Sequence, residues 1–472
     1  MNPLVEARVA TTARTPRHLA LEDRDSRLTW SDLNREVGGL HGALAQAGVQ
    51  PNTRVGLLAD RSAPTTIGVH AILSAGAAVV PLDPSHPPAR LTQVIEDAQL
   101  SAILVDKRTA RRHARTLRDV DFPVVQLTQR APAVPPAPVA PDAPALILYT
   151  SGSTGRPKGV VLSGRAVHAF VAWAVPTLEL GPTDRIAHLS PLSFDLCTLE
   201  LFAPGLVGAA TVVIPAGATM FPATLATALS TCTVIYTVPS VWQRLLSTPL
   251  SALTVLRCIV YAGEPFAPAA LAQLMAALPD RPVHNFFGPT ETNVCCAHRL
   301  DTPPSGPVPI GTAASSARLY IHPDTEELWV SGPSVMSGYW NRPTPTLVDR
   351  PDGRWLRTGD RVRRSDDGLL HALGRLDTML KHKGFRVQPE EVEGVLLAHP
   401  DVTAARVSVD GPELLAEVVS TKPDRDLARH VARALPPYMV PTRFQRVSAL
   451  PTTARGKLDR RAPASPAPTN PA

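Results

Sequence analysis

The chain has 472 residues, 44% hydrophobic and 19% charged, the balance of a soluble globular protein with room for more than one domain and a large core. Its 47 basic and 41 acidic residues leave a net charge of +6, modest and spread along the chain, which argues for anionic small ligands and against nucleic acid as a partner. No apolar run reaches membrane-spanning length and no signal segment opens the chain, while five cysteines, an odd number without CxxC spacing, argue against disulfides and for a reduced, cytoplasmic setting.

In chain order, Ser31 is expected to cap a helix through Leu33, Val37, Leu40 and Leu44 that Gly48 ends. A strand follows at 55–58, a helix at 67–73 and a strand at 77–82. Short strands at 103–105 and 124–125 flank a basic helical piece at 107–118. Residues 131–144, rich in Pro and Ala, read as an extended connector, slack outside any site. The apolar run 145–148 is a buried strand that leads into Tyr149-Thr150-Ser151-Gly152-Ser153-Thr154-Gly155-Arg156-Pro157-Lys158-Gly159. Glycines and hydroxyls at this density suit a phosphate-binding loop, although no Gly-Lys-Ser/Thr closes it as in a Walker A loop; a polar surface turn is the other reading.

The rhythm continues with helices at 166–173 and 199–207 and strands at 185–189, 211–214, 234–236 and 258–260. Alternating strands and helices argue for parallel sheets wound on both faces. After Pro303 strands at 319–321 and 327–330 and a hairpin around Asp366-Asp367-Gly368 announce a β-rich subdomain. A small α/β unit follows, with helices at 389–398 and 427–435 and strands at 404–409 and 414–419. The expected fold is therefore α/β: a large N-terminal domain over 1–373, a small mobile C-terminal domain over 374–461, and a disordered tail over 462–472.

Several separated motifs agree on one family. They are LTWSDL (28–33), LSAGA through PLDP (73–84), the 149–159 loop, Phe194-Asp195, NFFGPTET (285–292), GYWNRP (338–343), TGD (358–360), GRLD (374–377), KGFRV (383–387) and GKLDR (456–460). In this order the chain resembles the adenylate-forming superfamily, and within it the amino-acid adenylation domains of non-ribosomal peptide synthesis. The resemblance implies an AMP-forming ligase: ATP and Mg²⁺ activate a carboxylate as acyl-adenylate, pyrophosphate leaves, and a thiol then displaces AMP.

The resemblance also assigns residues. Thr150, Ser151, Gly152, Ser153, Thr154 and Lys158 would cradle the β- and γ-phosphates, and Glu291 would hold Mg²⁺, a hard cation suited to carboxylate oxygen. Phe287, where the family usually has Tyr, would stack on adenine beside Asn285, with Gly263, Glu264, Gly288 and Thr290 completing the nucleotide site. Asp360 would take the ribose diol with Arg375 nearby. Lys457 would bridge the substrate carboxylate and the α-phosphate, so Lys457, Glu291 and Thr150 are the expected catalytic residues. Asp377 matches the hinge, and rotation there would exchange Lys457 for Lys383-Gly384 to admit a pantetheine thiol.

Asp195 matches the carboxylate that pairs with a substrate α-ammonium, which favours an amino acid. Carried over by position, the pocket is Leu196, Leu199, Tyr236, Val260, Ala262, Phe286, Val294 and Cys295. It offers a side chain no charged partner, so a small aliphatic one fits. The pattern looks like that of free-standing L-prolyl-(carrier protein) ligases of pyrrole biosynthesis; another small aliphatic amino acid, or coenzyme A as acceptor, is the alternative. No carrier domain is seen after Lys457, so the thiol is expected on a discrete peptidyl carrier protein with phosphopantetheine, with no membrane or nucleic-acid partner. The chain is shorter than is usual for the family between Ala317 and Gly332.

Overall fold

The computed structural model describes all residues except 153–155, 452–459, 461, 463–464 and 467–472. The chain divides into two compact units: Met1–Pro84 with Ile95–Tyr149 and Gly159–Leu376, and Ser85–Val94 with Thr150–Lys158 and Asp377–Ala472. Among the described residues no helix is long and apolar enough to cross a membrane.

Two large sheets build the first unit. One runs, edge to edge, Gly338–Tyr339, Lys158–Ser163, Pro144–Thr150, Ala78–Leu82, Arg54–Leu58, Ala102–Val105 and Val124–Gln126. The other has at its centre Val283–Phe287, Cys258–Tyr261, Val234–Thr237, Arg185–His188 and Ala210–Val213, all parallel. Period-two alternation decides how this second sheet is covered. Ile186, Val234, Tyr236 and Val260 share one apolar cluster with Leu57, Val79 and Leu148 of the first sheet and with helices Trp30–Gln46, Ala63–Ser74, Gly164–Thr177 and Cys197–Val207. The residues between them, Ala187, Val212, Ile235 and Ile259, pack on the other face against Pro222–Leu229, Pro239–Leu245 and Pro268–Ala277. Both faces are wound, as the alternating pattern implies.

Local chemistry sets the element ends. The first long helix is capped by Thr29 rather than Ser31: Thr29 Oγ1 accepts from Asp32 N at 3.1 Å and Asp32 Oδ2 accepts from Thr29 N at 3.1 Å, a capping box. The basic piece at 107–118 breaks in two at His113, whose ring bonds Pro84 O at 3.0 Å. Helix Pro3–Arg14, opened by Asn2, and strand Leu19–Glu22 add to the expected elements. A further sheet of Arg318–Ile321, Glu327–Ser331, Leu347–Arg350, Gly353–Arg364 and Leu370–Arg375 forms the β-rich subdomain. The shortened stretch there is a plain hairpin, its turn closed by Glu326 in the left-handed region (φ 57°).

In the second unit, helices Pro389–Leu397 and Asp424–Ala432 cover strands Val402–Asp410, Glu413–Ser420 and Arg443–Ala449 through one apolar core. Described residues of the tail, expected to be disordered, make defined contacts. Ser465–Pro466 pairs with the edge of Arg443–Ala449, and Ala462 O accepts from Arg406 Nη1 at 2.7 Å.

The Pro/Ala connector is docked rather than slack. Ala131 N donates to Gly39 O at 3.0 Å and Ala137 N donates to Ser74 O at 2.8 Å, so it straps two helices together. It lies so close that a Cβ on Gly42 would stand 2.1 Å from Pro132 O. Gly→Ala in an exposed helix normally stabilises by about 1 kcal/mol. Here the sign should reverse: Gly42→Ala is expected to lower the thermal midpoint by at least ~2 °C, checked by calorimetry, because backbone must move.

Candidate functional site

Parallel strands present their carboxyl ends along one edge, and ligands of such sheets bind there. In the larger sheet that edge carries the turn after Arg185–His188 with Asp195, Tyr236 near the end of Val234–Thr237, Ala262 and Gly263 after Cys258–Tyr261, and the loop 288–295 after Val283–Phe287. Val260 is the register partner of Tyr236, and Phe286 stands edge-on to the Tyr236 ring at 5.8 Å between centroids. Trp173, from helix Gly164–Thr177, completes this aromatic wall at 5.2 Å from Phe286. Trp173 is absent from the residues expected of the pocket; its signal in the sequence is a Trp in the apolar run 170–175 of this helix.

Leu196, Leu199, Tyr236, Val260, Ala262, Phe286 and Val294 all belong to the large apolar cluster shared by the two sheets. Cys295 does not join them. It packs with Cys296, Ile310, Leu328 and Val330 in a separate cluster, while Val294 joins the first. Consecutive residues of strand Val283–Phe287 face opposite ways, so Phe287 packs against that second cluster while Phe286 belongs to the first.

Asp195 is half-buried just before helix Cys197–Val207. Its backbone oxygen accepts from Thr198 N at 3.0 Å and from Thr198 Oγ1 at 2.7 Å. Burial pushes the Tyr236 phenol well up, and the Asp195 and Glu200 carboxylates push it the same way. Thr198 Oγ1 also lies 3.1 Å from the Asn293 amide, linking the Asp195 turn to the 288–295 loop. In that loop Asn293 takes the left-handed region (φ 55°), and a Cβ on Gly288 would meet Asn293 O at 2.2 Å, so only glycine admits the fold-back. Glu291 is 3% exposed, and its Oε1 accepts from Tyr339 OH at 2.9 Å. Asn285 Nδ2 donates to Pro309 O at 2.8 Å, and Glu264 accepts from Ser240 N at 3.0 Å, so both side chains also serve the scaffold.

The GYWNRP motif acts as a brace. Gly338–Tyr339 pairs with Val160 and Val161 beyond the 149–159 loop, and Trp340 Nε1 donates to Asp97 O at 3.1 Å. The Asp97 carboxylate accepts from Tyr149 OH and from Arg342, each at 2.6 Å. Within the loop, Thr150 Oγ1 is buried with no partner among the described residues. Ser151 Oγ donates to Arg386 O at 2.8 Å, and the Gly152 N–H bonds the Glu391 carboxylate. Ser153 and Thr154 lie outside the described residues.

Asp360 and Arg375 are cross-strand partners, Arg375 Nη1 donating to Asp360 Oδ1 at 3.0 Å. Buried Glu327 holds the Thr358–Asp360 stretch of strand Gly353–Arg364, accepting from Gly359 N at 3.0 Å and Trp329 Nε1 at 3.0 Å. Lys383 (φ 50°) and Gly384 (φ 81°) form the two-residue turn between strands Leu380–His382 and Phe385–Val387. Asp377 Oδ1 accepts from Met379 N at 3.3 Å. Lys457 lies outside the described residues, while Arg460 of the same motif is held by Glu393 at 2.7 Å and Glu390 at 2.9 Å.

Residues 8–340 match the family described as AMP-binding enzyme, and residues 391–457 the AMP-binding enzyme C-terminal domain. The chain is 36% identical to an L-proline–(L-prolyl-carrier protein) ligase of Pseudomonas fluorescens over 98% of each chain. It is 34% identical to a ligase of the same name from Streptomyces coelicolor, over 94% of this chain and 93% of that one. Among solved structures, the amide bond synthetase McbA of Marinactinospora thermotolerans superposes with a TM-score of 0.85, at 27% identity over 97% of this chain and 98% of that one.

Thr198→Val keeps the shape and removes the hydroxyl that links the two loops. Leaving buried partners unsatisfied costs about 1–3 kcal/mol. Denaturant unfolding should show that loss for Thr198→Val, with Thr198→Ser close to wild type.

Proposed function

The chain belongs to the AMP-binding enzyme family, and from that premise we propose that it activates L-proline with ATP and passes the prolyl group to the phosphopantetheine thiol of a discrete peptidyl carrier protein. The observation that carries this reading is the near full-length similarity to two L-proline–(L-prolyl-carrier protein) ligases. The apolar, aromatic-walled cluster near half-buried Asp195 supports it, since a compact aliphatic ring suits an apolar wall and its ammonium a carboxylate. ATP use follows from the family.

In this reading Asp195 binds the α-ammonium, and Leu196, Leu199, Tyr236, Val260, Ala262, Phe286 and Val294 exclude water from the ring. Thr150 Oγ1, buried and unpartnered among the described residues, is a ready donor to a phosphate oxygen. Glu291 fits Mg²⁺: it is a buried oxygen donor oriented by Tyr339 OH, and Mg²⁺ is commonly held by one or two carboxylates together with phosphates. When bound, Mg²⁺ supplies charge neutralisation at the phosphates. Asp360 holds the ribose, its second oxygen left to the diol while Arg375 engages Oδ1. Lys457 stabilises the charge that builds as the carboxylate attacks the α-phosphorus. We assign residues 1–373 to the adenylation core and 374–461 to a mobile domain hinged at Asp377, with Lys383 and Gly384 serving the thiol step. Five buried thiols suit a reducing compartment, and we assign the protein to the cytoplasm.

ATP–pyrophosphate exchange across an amino-acid panel should be strongest with L-proline; a larger signal for any other acid overturns the substrate assignment. Lys457→Ala should reduce adenylate formation by roughly 10²–10³-fold or more, yet spare thioester formation from supplied prolyl-AMP. Equal damage to both half-reactions, read by single-turnover assays, would count against a role confined to the first.

A further inference from the structure

Glu200 has no part in the assignments above, yet it is 0% exposed and stands in the first turn of the helix that follows Asp195. Burying a carboxylate is costly unless it is fully bonded, and a neighbour such as Leu201 or Phe202 shows that an apolar residue would serve packing here. Its bonds run back to the turn that leads to Asp195. His188 Nδ1 lies 2.7 Å from Oε2, Ser190 Oγ donates to Oε1 at 2.8 Å, and Ser190 N stands 3.2 Å from both oxygens. Side chains on a helix lean toward its N-terminus, which carries this carboxylate to the strand end behind it.

One side chain therefore holds the end of strand Arg185–His188 and the first residue of the turn, while its own backbone belongs to the helix that closes the turn. Between those anchors the turn folds on itself through Phe194 N to Pro191 O at 3.0 Å and Thr198 N to Asp195 O at 3.0 Å. Asp195 lies inside the pinned span. Glu200 and Asp195 also share a neighbourhood, each raising the Cys197 thiol after burial has done so.

We propose that Glu200 is a positioning residue that pins the turn presenting Asp195, and so sets the affinity for the ammonium of the amino-acid substrate. The proposal rests on the reading of Asp195 as the ammonium partner. It assigns Glu200 to amino-acid binding and leaves nucleotide binding untouched, which a general structural defect would not do.

The test is steady-state ATP–pyrophosphate exchange with the full chain, varying proline and ATP separately, for E200Q and S190A beside wild type, with a thermal melt of each. E200Q should raise the KM for proline roughly tenfold and S190A about threefold, with kcat and the KM for ATP within about twofold of wild type. An unchanged KM for proline in both variants, or parallel rises for proline and ATP, overturns the proposal. If E200Q does not fold, S190A decides by the same criterion. A wild-type chain that exchanges no amino acid overturns the parent reading, and this shows before any variant is made.

Discussion

Because the central strands of the larger sheet are parallel, every one of them ends on the same edge, and the connections leaving that edge are thrown together regardless of their distance in sequence. The turn bearing Asp195, the end of Val234–Thr237 and the loop bearing Glu291 meet for this reason. The two windings of helix then bury both faces, so the edge is the place where polar side chains can gather beside an apolar wall.

Much of the site follows from local pattern. A hydroxyl-rich loop after a buried strand, Phe194-Asp195 before a helix, and a glycine-led Pro-Thr-Glu turn each carry their chemistry within a few residues. So do most helices and strands, whose periodicity and caps are local properties, although Thr29 and Asp32 together outcompete Ser31 as the cap by forming two reciprocal bonds. What was not legible depends on register and on long separations. Tyr339 reaches Glu291 across 48 residues, and Thr198 reaches Asn293 across 95. Cys295 was expected beside Val294, but it packs with Cys296 and with Ile310, Leu328 and Val330, which come from distant segments.

The polar groups near the site are arranged as hubs. Asp97 gathers Tyr149, Trp340 and Arg342, Glu327 gathers Gly359 and Trp329, and Glu200 gathers His188 and Ser190. The Asp97 and Glu200 carboxylates each tie a helix to segments outside it, while Glu327 adds side-chain bonds to strands that already pair through their backbones. Charge-assisted bonds of this kind are short and directional, so they fix loops that would otherwise be only loosely defined.

The Pro/Ala strap has a practical consequence for anyone who wishes to cut or extend this chain. A low-complexity, proline-rich stretch invites a protease site, an affinity tag or a domain fusion, on the assumption that it is a spacer. Its amides are instead bonded to Gly39 and Ser74, with Val139 buried against Gly76. Insertions there would unfasten two core helices, whereas exposed Gly217, around which an added Cβ meets nothing within 4 Å, offers open space for the same purpose.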